Sequence, residues 1–228
     1  MSDSPIVSAQ DIQKVFHKGG EQIEVLQGAS LDVFSGDSIS IVGQSGSGKS
    51  TFLHILGALD RPTSGTLTMD DKDVFRLPNA QIDAIRNQKV GFIFQFHHLL
   101  PDHDALGNVA MPLVIKGEAF ATAREKAALI LDKVGLSHRH QHKPGELSGG
   151  EQQRVAIARA MVHTPRLILA DEPTGNLDPK TAVEIMELLM KLAADTDGAL
   201  VMVTHDHGLA DLCQRRFNLV MGALEVRE

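Results

Sequence analysis

Tryptophan and tyrosine are absent from this chain, and cysteine occurs once, at Cys213. A single cysteine excludes an internal disulfide framework and a cysteine-built zinc site. The missing Trp and Tyr remove most of the stacking platforms that a single-strand nucleic-acid binder uses. Positive charge is scarce: 22 Lys and Arg stand against 29 Asp and Glu, a formal net charge of −7. Such a chain is not expected to wrap duplex DNA or to adhere unaided to anionic lipid. No apolar run approaches the ~18 residues of a membrane span. Residues 1–10 hold neither a basic segment nor an apolar stretch, so no secretory signal is expected. What is present is ordinary for a globular protein: 43% hydrophobic and 22% charged residues over 228 positions. That length suits one large domain, or a core with a small inserted subdomain. The expectation is a cytoplasmic chain that binds no nucleic acid and meets a membrane only through a partner.

Apolar periodicity sets out the elements. Residues 12–16, 29–33, 38–42 and 66–69 read as strands, punctuated by turns at 19–20, 35–36 and 70–71. Residues 50–59 read as an apolar helix stopped by Arg61-Pro62. Residues 119–134 carry a helical stripe of Ala127, Ile130, Leu131 and Val134 and open into a polar linker, 137–143. Helices over 151–162 and 180–194 alternate with short apolar strands at 167–170 and 200–203. Short all-apolar strands between helices imply a parallel sheet covered on both faces. Cys213 reads as an inert core thiol in a C-terminal apolar helix.

Three motifs carry chemistry. Gly43-Gln44-Ser45-Gly46-Ser47-Gly48-Lys49-Ser50 fits the G-x-x-x-x-G-K-[ST] phosphate loop between a strand and a helix. Glycines let backbone N–H groups converge on phosphate oxygens, and the helix N-terminus adds its dipole. Lys49 reaches the outer phosphates and Ser50 offers a hydroxyl to Mg²⁺. Asp171-Glu172 closes the apolar run 167–170, where carboxylates at a strand's C-terminal end meet ligands in α/β sheets. Asp171 is placed to hold hydrated Mg²⁺, and Glu172 to orient or deprotonate an attacking water. Leu147-Ser148-Gly149-Gly150-Glu151-Gln152-Gln153-Arg154 has the S-x-x-E spacing of a capping box, and its glycines leave the first N–H groups of the helix bare. That is a second site for anionic oxygens.

The third motif, lying between the other two, resembles the signature of ATP-binding cassette (ABC) transporter nucleotide-binding subunits, and the resemblance spans roughly residues 7–226. It implies one nucleotide-binding domain over 1–228 of α/β class. The expected parts are a RecA-like P-loop core, an N-terminal antiparallel β-subdomain and a helical subdomain inserted at about 96–160. It implies a homodimer in which each signature closes over ATP held by the other chain's phosphate loop. By resemblance, Gln95 belongs to a nucleotide-sensing loop, His205 is the switch histidine, Asp178 belongs to the D-loop, and Phe16 stacks on adenine where relatives more often carry Tyr. Asp178 before Pro179 also reads as a helix N-cap. The resemblance thus assigns catalysis to Glu172, His205, Gln95 and Lys49, and metal binding to Ser50, Gln95 and Asp171. It adds Thr51, Ser148, Gly149, Gly150, Glu151 and Asp178 to the nucleotide contacts.

Residues 95–102 and 108–113 closely resemble the cassette of the lipoprotein-releasing complex, and Pro173-Thr174-Gly175-Asn176-Leu177-Asp178 resembles a wider group that drives mechanotransmission and includes that cassette, a macrolide exporter and a cell-division system. This implies Mg²⁺-dependent ATP hydrolysis on the cytoplasmic side of a bacterial inner membrane, with integral inner-membrane subunits of the lipoprotein-releasing type as partners. The alternative is a cassette that regulates a periplasmic hydrolase or exports another substrate. A DNA-repair ATPase of the same superfamily would need a coiled coil or zinc module that the chain lacks. Phe96, Leu99, Leu100, Val109, Met111 and Leu113 are many apolar residues for a loop and short helix. They form either a groove for a partner's helix or the core of the helical insert. His138, His140 and His142 read as a solvated loop, and Asp70, Asp71 and Asp73 as a turn that lacks the closing ligands of a calcium loop.

Overall fold

The computed structural model describes residues 4–227. In chain order the elements are β1 (Val7–Lys18), β2 (Glu21–Val33), β3 (Ser38–Val42), α1 (Lys49–Leu56), β4 (Ser64–Met69), β5 (Lys72–Asp73), α2 (Asn79–Lys89), β6 (Val90–Ile93), α3 (Ala105–Ile115), α4 (Phe120–Lys133), α5 (Gly149–Met161), β7 (Leu167–Asp171), α6 (Pro179–Asp195), β8 (Ala199–Thr204), α7 (His207–Ala210), β9 (Arg215–Val220) and β10 (Ala223–Val226).

Two sheets result. An antiparallel sheet runs β2-β1-β4-β5, and a second runs β10-β9-β3-β8-β7-β6. In the second, β9, β3, β8, β7 and β6 are parallel, and β10 returns antiparallel on β9. Every residue of β8 is buried, as are the first four of β7, because a parallel sheet is covered on both faces. Successive side chains of one strand point to opposite faces, so β7 serves two cores. Leu167 and Leu169 join α1 and the antiparallel sheet in one core; Ile168 and Ala170 join α3, α4, α5 and α6 in the other. Cutting the fully buried Leu169 to Ala would cost about 2–5 kcal/mol through lost burial and the cavity left behind.

Two sequence expectations give way, and one helix was not foreseen. Helix α1 stops at Leu56, with Gly57 as its C-cap, rather than running on toward Arg61-Pro62. The C-terminal apolar pattern is no long helix: α7 is a single turn, Cys213 follows it, and the next elements are strands β9 and β10. Phe217 and Leu219 alternate with exposed or half-buried neighbours because β9 pairs with β3. Helix α2 carried no periodic signal, since Ile82 is its one buried residue.

Candidate active site

The phosphate loop leaves β3 and enters α1. Gly48 caps α1 with φ 102°, a left-handed conformation that favours glycine. Gly43 has no room for a side chain: a Cβ there would lie 2.9 Å from the carbonyl oxygen of Leu219 on β9. The loop is thus pressed between β9 and α1. The Lys49 ammonium donates to the carbonyls of Gly43 (2.9 Å) and Gln44 (3.1 Å), arching back over the loop it belongs to. Ser47 Oγ is shielded from solvent and has no hydrogen-bond partner among the described residues, a polar atom set where a phosphate oxygen would satisfy it. A cavity of about 720 Å³ adjoins the loop, lined by Gly43, Gln44, Ser45 and Ser47 together with His205 and β9.

Ser50 and Asp171, 121 residues apart, meet: the Ser50 hydroxyl donates to Asp171 Oδ1 at 2.9 Å. Burial pushes the Asp171 carboxyl above its ordinary range, and the Ser50 hydrogen bond partly opposes this. A hydroxyl and a carboxylate side by side are hard oxygen donors of the type Mg²⁺ takes, so the residues fit that ion.

Glu172 follows at the strand end with φ 47°, an uncommon left-handed conformation for a residue with a side chain. Its N–H donates to Val203 O at 3.0 Å, which holds the turn. Glu172 Oε2 accepts from His205 Nδ1 at 2.9 Å and from the Thr204 hydroxyl at 3.3 Å. With the carboxylate accepting, Nδ1 is the ring's donor. The pair lies at the adjacent ends of β7 and β8, so strand pairing brings two residues 33 positions apart into contact. Thr204, whose hydroxyl also accepts from Asp206 N at 3.0 Å, was not singled out by sequence, although it is the one polar residue of β8 and stands at its C-terminal end.

Gln95 follows β6. Its side chain lies against Gly175, where an added Cβ would come within 2.9 Å of Gln95 Nε2. Its carbonyl accepts from Asn176 Nδ2 at 3.1 Å. Phe16 is 42% exposed on β1, which leaves aromatic surface available for stacking. Lys14 Nζ sits 5.0 Å from that ring's centroid.

Ser148 is the N-cap of α5, and the capping box is complete: its hydroxyl accepts from Glu151 N (3.3 Å), and Glu151 Oε2 accepts from Ser148 N (2.8 Å). Arg139 donates to Glu151 Oε1 at 2.8 Å. The Ser148 backbone N–H, above all, holds the Glu151 carboxyl below its ordinary range. Residues 148–151 do not line the cavity at the phosphate loop; instead Gly149 and Gly150 face Leu177 and Thr181 across the start of α6. Asp178 caps α6, accepting from Thr181 N at 3.1 Å, and Pro179 stands at the first position. The structure therefore gathers Lys49, Ser50, Asp171, Glu172 and His205 at the C-terminal ends of neighbouring strands, and sets the signature residues beside the D-loop.

The apolar residues after Gln95 divide between core and surface. Val109 and Leu113 are buried in the helical core, while Phe96 is 66% and Leu100 40% exposed. The Asp70 carboxylate pairs with Lys89 and with Arg166 (2.8 Å), so its acidic turn is an ion-pair node. His140 pairs with Asp132 at 3.1 Å, and no cluster of three or more His, Cys, Asp or Glu placed to hold a metal ion is found among the described residues. No helix there is long and apolar enough to cross a membrane. Burial pushes the Cys213 thiol up to about 11, which keeps it unreactive.

A parallel sheet with a glycine loop pressed against it, an acidic pair at the next-but-one strand and a histidine between them define a P-loop nucleoside triphosphatase. The chain belongs to the ABC transporter family, whose model matches residues 26–175. It is 50% identical over 223 residues to the lipoprotein-releasing system ATP-binding protein LolD of Legionella pneumophila (strain Paris), covering 98% of each chain. It is 52% identical over 219 residues to the LolD of Geobacter metallireducens, covering 96% of this chain and 97% of that one. Among solved structures, it resembles the dimeric ATP-binding cassette MJ0796 in a post-hydrolysis state with ADP and Pi. There the TM-score is 0.88 and the identity 41%, with 96% of each chain covered. The fold is that of an ABC ATPase: a P-loop core with an antiparallel β-subdomain and an inserted helical subdomain.

Proposed function

We propose that this chain is the ATP-hydrolysing subunit of a lipoprotein-releasing complex. It works as a homodimer on the cytoplasmic face of a bacterial inner membrane, with integral LolC/LolE-type subunits as partners. The observation that supports the reading is the assembled site itself, in a chain about half identical to LolD proteins along nearly its whole length. Residues 43–51 cradle the triphosphate with backbone N–H groups and the Lys49 ammonium, and Phe16 stacks on the base. Ser50, Asp171 and Gln95 would hold Mg²⁺, which would screen charge on the phosphate oxygens. Glu172 accepts a proton from the attacking water as its oxygen bonds the γ-phosphorus and the bond to the β-phosphate oxygen breaks. The His205 N–H that now meets Glu172 turns to the γ-phosphoryl oxygen and stabilises the charge developing there. Little covalent work falls to the protein; positioning and charge stabilisation carry the rate.

The capping box starts α5 outside the phosphate-loop cavity. Ser148, Gly149, Gly150 and Glu151 therefore complete the site of the other copy, with Asp178 at the seam between copies. Closure of the dimer on ATP is the power stroke passed to the membrane subunits. The test is reconstitution of the chain with LolC/LolE-type subunits in proteoliposomes carrying a radiolabelled lipoprotein. ATP should drive release of the lipoprotein with the native chain, and release should fail with Glu172→Gln. Turnover of ATP without any release would overturn the assigned cargo while leaving the ATPase intact.

A further inference from the structure

Of the seven residues that follow β6, four have their backbone carbonyls held by side chains from α3, from α5 and from the turn before α6. Asn176, before α6, donates to Gln95 O at 3.1 Å. Arg159 on α5 donates through Nη2 to His97 O at 2.7 Å and through Nη1 to His98 O at 2.6 Å. Asn108 on α3, fully buried, donates to Leu100 O at 3.1 Å and accepts from Leu100 N at 2.7 Å. A loop backbone normally meets water; this one is clamped. Among the described residues Arg159 makes no ion pair with a carboxylate, so its guanidinium charge is answered by these two carbonyl dipoles. The grip also lies beside strain: His98 has φ 48°, a conformation a non-glycine residue keeps only when its surroundings impose it.

The far end of the same helix is the signature. Ser148 caps α5 and Arg159 lies in its last turn, roughly 16 Å along the axis at 1.5 Å per residue. We infer that Arg159 is a positioning residue that ties the Gln95 loop of one ATP site to the helix whose N-terminus serves the other, so that α5 moves both as one rigid body. The inference rests on the reading of Gln95 and Ser148 given above. The planar fork suits two adjacent carbonyls, and an ammonium cannot bridge them in the same way.

The test is a double-mutant cycle on ATP turnover by the full chain. It compares native, Gln95→Ala, Arg159→Met and the double variant, with ATP titrated to give kcat and the Hill coefficient. Binding of a fluorescent ATP analogue and a thermal melt are recorded for each. Residues of one hydrogen-bond network couple by roughly 2–150-fold in rate, so Arg159→Met should lower kcat about 10-fold. Its Hill coefficient should fall toward one, analogue binding should stay within about two-fold, and the drop should vanish in the Gln95→Ala background. Arg159→Lys should recover part of kcat, and it runs the same cycle should Arg159→Met fail to fold. Additive effects, or an unchanged Hill coefficient, would overturn the inference alone. Native kcat in Gln95→Ala by itself would remove the reading of the site, and the inference with it.

Discussion

Ser148 caps α5, and under the proposed function it would also close over ATP in the dimer; substitution separates the two tasks. Locally it is an N-cap: its hydroxyl accepts from Glu151 N at 3.3 Å while Glu151 answers its own N–H. Ser148→Ala removes that acceptor and should cost about 1 kcal/mol, a fall in Tm of about 2–4 °C for a chain of this size. Ser148→Asp keeps the acceptor, because Asp caps helices as well as Ser. Stability should then stay within a few tenths of a kcal/mol, with Arg139, 2.8 Å from Glu151, offsetting the added negative charge. At the trans site the same carboxylate would face the γ-phosphate of the partner's ATP. Two unit charges about 4 Å apart at an effective dielectric near 20 repel by about 4 kcal/mol, close to three decades in the closing equilibrium. The assay is light scattering coupled to size exclusion in a Glu172→Gln background with ATP. Ser148→Asp should remain monomeric with an unchanged melt, and Ser148→Ala should dimerise with a lowered one. A folded Ser148→Asp chain that dimerises as readily as its parent would refute the placement of the signature over phosphate.

Three further outcomes are expected. Glu172→Gln should slow steady-state hydrolysis by about 10²–10⁴-fold, the range for losing a general base, with ATP binding preserved in a nucleotide titration. Asp171 has its carboxyl raised by burial, so the folded chain holds that proton more tightly than the unfolded one, and the charged form subtracts from stability as pH rises through the folded value. Asp171→Asn should therefore melt higher than the native chain at neutral pH without Mg²⁺. The gap should close as pH falls into the carboxylate range, and Mg²⁺-dependent turnover should be lost; an unchanged gap across that titration would contradict the burial argument. Paired Leu99→Asp and Met111→Asp changes should abolish co-purification with the membrane subunits while a cooperative melt persists, and an intact complex would remove the docking role of that surface.

The chemistry of the phosphate loop, the acidic pair and the capping box was legible because each is local. A turn that needs glycine, a strand end and a helix start are decided by residues within a few positions of one another. The exposed stacking face of Phe16 was only half legible: a strand pattern does not say which face a second sheet will cover. Cys213 was misplaced in a helix because short apolar runs fit both periods; it lies in the bend after α7, and pairing with β3 makes the apolar run beyond it the strand β9.

What the amino-acid order determined by itself was the set of ligand-handling groups and the alternation of strands and helices that carries them. Tertiary structure alone decided which groups meet. Strand order put Glu172 against His205 and Ser50 against Asp171. It laid β9 so close to Gly43 that no side chain fits there, and it brought Arg159 onto the loop after Gln95. These contacts join residues tens to more than a hundred positions apart. No local pattern encodes them, because their entropy of closure is offset only when the whole sheet and both of its cores form together.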